Sequence, residues 1–155
     1  MNLDAAWPLT IYYDASCPLC AREIATLAAC DFESKLRLVD CSPLEFCDPQ
    51  ATEASLTRAE LMRAIHARDE AGRWYRGIDV FALAYQAAGL HGVARAFGHR
   101  RWRPVFDWLY PRVAKHRMLL SHLGLTNLYG WLIEFAAKRA ARRAQTCRDG
   151  ACTTR

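Results

Sequence analysis

Two cysteines stand three residues apart in "IYYDASCPLCAREIATL", residues 11–27, where a short apolar run gives way to a helix-like pattern. A thiol attacks a disulfide only as its thiolate, and a free cysteine with a pKa of about 8.5 is mostly protonated at neutral pH. Position changes that balance. Pro18 suits a first helical turn, where its missing N–H would have had no partner, and this puts Cys17 at the N-cap. Unpaired amides and the positive end of the helix dipole favour an anion there. Cys20, about one turn on, shares nearly the same face and lies within disulfide reach. The expectation is an exposed attacking thiol at Cys17 and a more buried thiol at Cys20 that resolves the mixed disulfide. Asp14 is near enough to accept the proton of Cys20 during resolution. Capping its own turn is the competing use of that carboxylate.

The elements around the pair have to deliver this geometry. Leu9 to Tyr13 (LTIYY) reads as a buried strand. Leu19, Cys20, Ile24, Leu27 and Ala28 mark one face of a helix running to Cys30. Leu36 to Asp40 is a second strand, stopped by the loop "CSPLEFCDPQ". Strand, helix and strand make the β-α-β pattern of a parallel pair. Thr57 with Glu60 spells a capping box for a short helix, and strand character follows from Met62. Glu70 to Gly72 reads as a hairpin turn before a strand at Arg73 to Arg76. Asp79 is placed to open a helix from Val80 to Ala88 that ends at Gly89. The order β-α-β-(α)-β-β-α predicts a thioredoxin-like α/β domain, a mixed sheet with flanking helices. Beyond Leu90 only helices are expected, punctuated by Pro104, Pro111, Gly124 and Gly130. The expected division is a redox domain over 1–94, a helical extension packed on it over 95–146, and a mobile cysteine-containing tail over 147–155.

Asp14-Ala-Ser-Cys17-Pro-Leu-Cys20 resembles the D-x-x-C-x-L-C signature of the DCC family of thiol-disulfide oxidoreductases. The resemblance extends through "IHARDEAGRWYRGIDVFALAYQAAGL", with Gly77 and Asp79 in the family's second cluster, and into "YPRVAKHRMLLS". It implies a thioredoxin-like fold and thiol-disulfide chemistry for roughly residues 9–121. Thioredoxins carry a proline before the third strand, opposite the cysteine pair; none lies between Pro49 and Pro104 here, so their mode of peptide docking does not transfer. The Cys-Pro-x-Cys spelling is closer to glutaredoxins and raises glutathione as an electron partner, beside a dithiol protein. No organic cofactor is required, because the electrons reside on the sulfurs.

The chain has seven cysteines in all. Cys30 is expected to be buried and inert at the helix end. Cys41 and Cys47 flank a loop on the rim where Cys17 is expected, so either a helper thiol or an unreactive one fits. Cys147 and Cys152 in "TCRDGACTTR" could shuttle electrons to the pair. They could also complete a zinc set with Cys17 and Cys20, and the alternative function is therefore a metal-binding or interaction module. The five histidines show no metal-ligand spacing, and His66 is expected to point from a strand surface.

With 155 residues, 52% of them hydrophobic, the chain can build a core without disulfide staples. Residues 1–94 hold 8 Lys/Arg and 13 Asp/Glu, whereas residues 95–155 hold 13 and 3. The second part can attract an acidic partner. Trp131 to Arg143 has an apolar start and a basic end, which suits peripheral contact with an anionic membrane; packing on the domain is the alternative. "GHRRWRP" lacks any surrounding nucleic-acid motif, so no nucleic-acid partner is expected. No leader pattern is read at Met1 to Pro8, and polar residues interrupt Leu119 to Ala137, which excludes a membrane span there. The expected setting is cytoplasmic, where a close cysteine pair points to redox or metal chemistry.

Overall fold

The computed structural model describes residues 4–122 of the chain, with side chains to residue 120. Strand β1 (Leu9–Tyr13) buries Leu9 and Ile11 on one face and Tyr12 on the other, the alternation of a strand covered on both sides. Helix α1 (Pro18–Cys30) carries the chain over the sheet to β2 (Leu36–Asp40), which pairs parallel to β1 with Leu9 opposite Leu36. Short helices α2 (Pro49–Glu53) and α3 (Arg58–Arg63) precede the hairpin of β3 (His66–Arg68) and β4 (Trp74–Arg76). Helices α4 (Ile78–Ala87), α5 (His91–Gly98) and α6 (Arg103–His122) follow. The sheet order is β2-β1-β3-β4, with β3 antiparallel to both of its neighbours. This is the thioredoxin-like α/β arrangement expected from the element order.

Each face of the sheet has its own core. Ile24 and Leu27 of α1 and Val80, Leu83 and Tyr85 of α4 pack with Leu9, Ile11 and Ala67. On the other side Tyr12, Cys41, Ala51 and Leu61 cluster with Trp74, whose ring lies 5.2 Å from that of Tyr12. Burying each large apolar side chain here contributes about 1.5–3 kcal/mol.

Local details differ from the sequence reading in instructive ways. The loop after β2 closes early, because Asp48 accepts from the Ala51 N–H at 2.9 Å and Pro49 starts α2. Thr57 and Glu60 do form the capping box, but α3 then runs to Arg63 and delays the strand to His66. His66, read as a surface residue, is buried, and its Nδ1–H donates to the Ala64 carbonyl at 2.8 Å. Asp79 does not open α4. That cap is Gly77, at φ 62° and ψ −123°, while Asp79 sits in the first turn and pairs with Arg103 at 2.5 Å. Pro111 lies inside α6 instead of breaking it. The Arg103 pair, extended by Asp107 at 2.9 Å, fastens α6 to α4, and α6 also packs against α1.

Candidate active site

Cys17 is the N-cap of α1, with extended backbone at φ −90° and ψ 112°. Its N–H donates to the Asp14 carbonyl at 3.4 Å, which closes the turn between β1 and the helix. Its Sγ accepts from the Cys20 N–H at 3.4 Å, and the two reduced cysteines come within 3.0 Å of each other. The first helical turn therefore does to sulfur what it does to a serine or aspartate cap.

The two sulfurs share one proton unequally. The Cys17 thiol is lowered from 9.0 to about 6, first by the hydrogen bond it accepts from the Cys20 side chain. Burial opposes the shift; the Cys20 and Leu19 N–H groups and the Arg117 charge support it. The Cys20 thiol is pushed well above its ordinary value, mainly by donating to Cys17 and then by burial and the Cys17 charge. The resting pair is a Cys17 thiolate beside a Cys20 thiol.

One expectation is corrected. Cys17 has no accessible surface, whereas Cys20 is partly exposed. Cys20 lines an apolar cavity, whereas Cys17 is covered. The sequence reading left Cys17 exposed because a helix N-cap sits in a turn, and local spacing says nothing of what packs over that turn.

Helix α6 also supplies a group the sequence reading missed. Arg117 Nη2 donates to Asp14 Oδ2 at 2.5 Å and to the Met62 carbonyl at 2.7 Å. Asp14 is 4% exposed, and its Oδ1 accepts from the Ser16 N–H and hydroxyl at 3.0 and 2.5 Å. Asp14 therefore caps its own turn, and its charge helps to raise the Cys20 thiol. The available signal for Arg117 was the stretch "YPRVAKHRMLLS", which resembled the family without pointing to one residue.

Cys20 opens onto a cavity of about 360 Å³ between α1, α4, α5 and α6. Phe81, Phe97, Phe106, Tyr110 and Val113 make its apolar wall; Asp14, Glu23 and Arg117 are its charged groups. Ile65, directly before β3 where thioredoxins place proline, lines it too and donates its N–H to the Tyr110 hydroxyl at 2.9 Å.

The remaining cysteines among the described residues, Cys30, Cys41 and Cys47, do not join this centre. Cys30 ends α1 half-buried, Cys47 is exposed, and Cys41 is buried in the opposite core with its thiol pushed up to about 12 by burial and by Asp40. That shift removes Cys41 as a helper nucleophile at neutral pH. Among the described residues no three His, Cys, Asp or Glu side chains cluster to hold a metal ion. Cys147 and Cys152, the tail division and the Trp131–Arg143 helix lie outside the described residues. No described helix is long and apolar enough to cross a membrane.

The chain is similar to an uncharacterised chloroplastic protein of Arabidopsis thaliana, at 27% identity over 116 residues. That alignment takes in 74% of the chain and 53% of the plant protein, so the chain spans about half the length of this relative. No solved structure matches. Residues 11–123 match the DCC1-like thiol-disulfide oxidoreductase model, a span that runs from β1 through the dithiol to the end of α6, and the chain belongs to that family.

Proposed function

We propose that the chain catalyses thiol-disulfide exchange through Cys17 and Cys20. The Cys17 thiolate attacks one sulfur of a substrate disulfide, and the other sulfur leaves as a thiol. Cys20 then attacks Cys17 Sγ in the mixed disulfide, releasing the second thiol and leaving a Cys17–Cys20 disulfide. Two electrons pass from the dithiol to the substrate, and glutathione or a dithiol protein in a cytoplasmic setting restores them. The observation that carries this reading is the Cys17 Sγ at the amide end of α1 with Cys20 as its hydrogen-bond donor. Asp14 belongs to the same centre by holding the Arg117 charge, which favours the Cys17 thiolate. Because Cys17 lacks accessible surface, its cover shifts before a substrate sulfur reaches it.

The test uses Cys20→Ser and hydroxyethyl disulfide, a small neutral probe. Peptide mass spectrometry should find the probe's thiol linked to Cys17 and stable there, and wild-type protein should pass on to the internal disulfide. The same variant should retain substrates from a cell extract that Cys17→Ser does not. No adduct at Cys17, or wild-type protein that never forms the internal bond, would refute the reading.

A further inference from the structure

The cavity beside Cys20 plays no part in the exchange steps themselves, yet it is the right size and chemistry to hold a molecule. Its volume of about 360 Å³ falls among small-ligand pockets, which run from roughly 300 to 1,000 Å³. Phe81, Phe97 and Phe106 line it from α4, α5 and α6 in turn. Their rings touch in series, with centroids 5.9 Å apart between Phe81 and Phe97 and 4.9 Å apart between Phe97 and Phe106. An apolar group that enters exchanges water for ring contact.

The charged groups at the cavity do not favour an ionic ligand. Among the described residues that line it they are Asp14, Glu23 and Arg117. The Arg117 guanidinium already holds Asp14 Oδ2 at 2.5 Å and the Met62 carbonyl at 2.7 Å. Glu23 is a second carboxyl, and its Oε1 accepts from the Tyr85 hydroxyl. A ligand carboxylate would shed its water there to meet a paired cation and two further carboxyl groups. An extended peptide is disfavoured for a separate reason. Ile65 brings backbone to the cavity, but its N–H donates to Tyr110 Oη at 2.9 Å and its carbonyl accepts from the Gly77 N–H at 2.9 Å. Peptides that add to a sheet draw affinity from pairing such groups, and here both are taken.

We propose that this cavity is the substrate pocket of the exchange reaction, and that the substrate is a low-molecular-weight disulfide with an uncharged aromatic or alkyl arm. The inference rests on the exchange reading above. It concerns the arm that stays on Cys17 in the mixed disulfide. A disulfide turns by about 90° about its S–S bond, so an arm bonded to Cys17 Sγ can fold back past Cys20 into the cavity that Cys20 lines. The Cys17 thiolate attacks the sulfur of that arm, the substrate S–S bond breaks, and the other arm leaves as a thiolate. The Cys20 sulfur then bonds to Cys17 Sγ. The retained arm departs with the electron pair of the broken bond and the Cys20 proton, as an apolar thiol.

The experiment offers Cys20→Ser protein an asymmetric probe, hydroxyethyl phenethyl disulfide. Both of its sulfurs carry simple alkyl groups, so the urea-unfolded chain should acquire the two arms in similar amounts. Peptide mass spectrometry at short times reads which arm Cys17 retains. The folded protein should keep the phenethyl arm in an excess on the order of tenfold or more, the worth of burying one aromatic group. The mixed disulfide of glutathione and phenethyl thiol should likewise leave the phenethyl arm on Cys17. Ala114→Phe, added to Cys20→Ser, puts a ring into the cavity from α6 and should bring the ratio close to that of the unfolded chain. Val113→Phe on the same lining serves if that variant does not fold. Equal retention of the two arms by the folded protein, or a phenethyl preference that both ring insertions leave intact, would overturn the proposal while the exchange reading stands. No adduct of either arm at Cys17 would remove the exchange reading itself, and this inference with it.

Discussion

Removing the thiol of Cys20 should push the Cys17 thiol back toward its ordinary range. In the native pair Cys17 falls from 9.0 to about 6, and the largest cause is the hydrogen bond from the Cys20 side chain. At about 1.4 kcal/mol per unit, the thiolate is favoured by roughly 4 kcal/mol. A hydrogen bond to a charged group supplies about 1.5–3 kcal/mol of this, or about one to two units. Cys20→Ala keeps the Cys20 and Leu19 amide donors and the Arg117 charge, so the Cys17 midpoint should rise to about 7–8 and stop short of the free value. Cys20→Ser, which retains an O–H donor, should stay near the native midpoint. The assay is the rate of Cys17 alkylation by iodoacetamide against pH, read at that residue by mass spectrometry and scaled to its own plateau. Scaling removes the effect of the cover over Cys17. The sign is fixed by the direction of the shift. A lowered thiol is thiolate above its midpoint, so native reactivity should be level at neutral pH and fall tenfold per unit on acidification below about 6. A native midpoint near the free-thiol value, or the same midpoint in the alanine and native proteins, would refute the reasoning.

Asp14→Asn should cost roughly 3 kcal/mol in urea unfolding, because it leaves the Arg117 guanidinium, only 17% exposed, against a neutral amide. A loss below a few tenths of that would mean water already screens the pair. Gly77→Ala should destabilise by about 1–3 kcal/mol: φ of +62° disfavours any Cβ, and the added atom would sit 3.1 Å from the Tyr110 ring. Unchanged urea unfolding would show that the turn and α6 relax without penalty.

Much of this protein was legible from short stretches. Pro18 after Cys17 fixed the helix start, and the N-cap geometry with Cys20 followed as read. The period of LTIYY and LRLVD gave β1 and β2 to the residue, and Thr57 with Glu60 gave the start of α3. Misreadings fell where two local signals competed. Asp79 looks like a cap, yet Gly77 alone tolerates the backbone needed there, and the aspartate is drawn to Arg103 instead. His66 is polar enough for a surface, but β3 is the inner strand of the hairpin and both sheet faces are covered.

By itself the sequence determined the dithiol, its placement at the amide end of a helix and the order of strands around it. Capping, turn chemistry and apolar periodicity all act within a few residues, so they can be read in one pass along the chain. Only the tertiary structure decided that Cys17 is covered, that Arg117 meets Asp14 across 103 positions, and that Tyr85 reaches Glu23 across 62. Those contacts depend on which faces of α1, α4 and α6 pack together. Packing of that kind is a sum of many weak, non-directional apolar contacts, and no single residue type announces it.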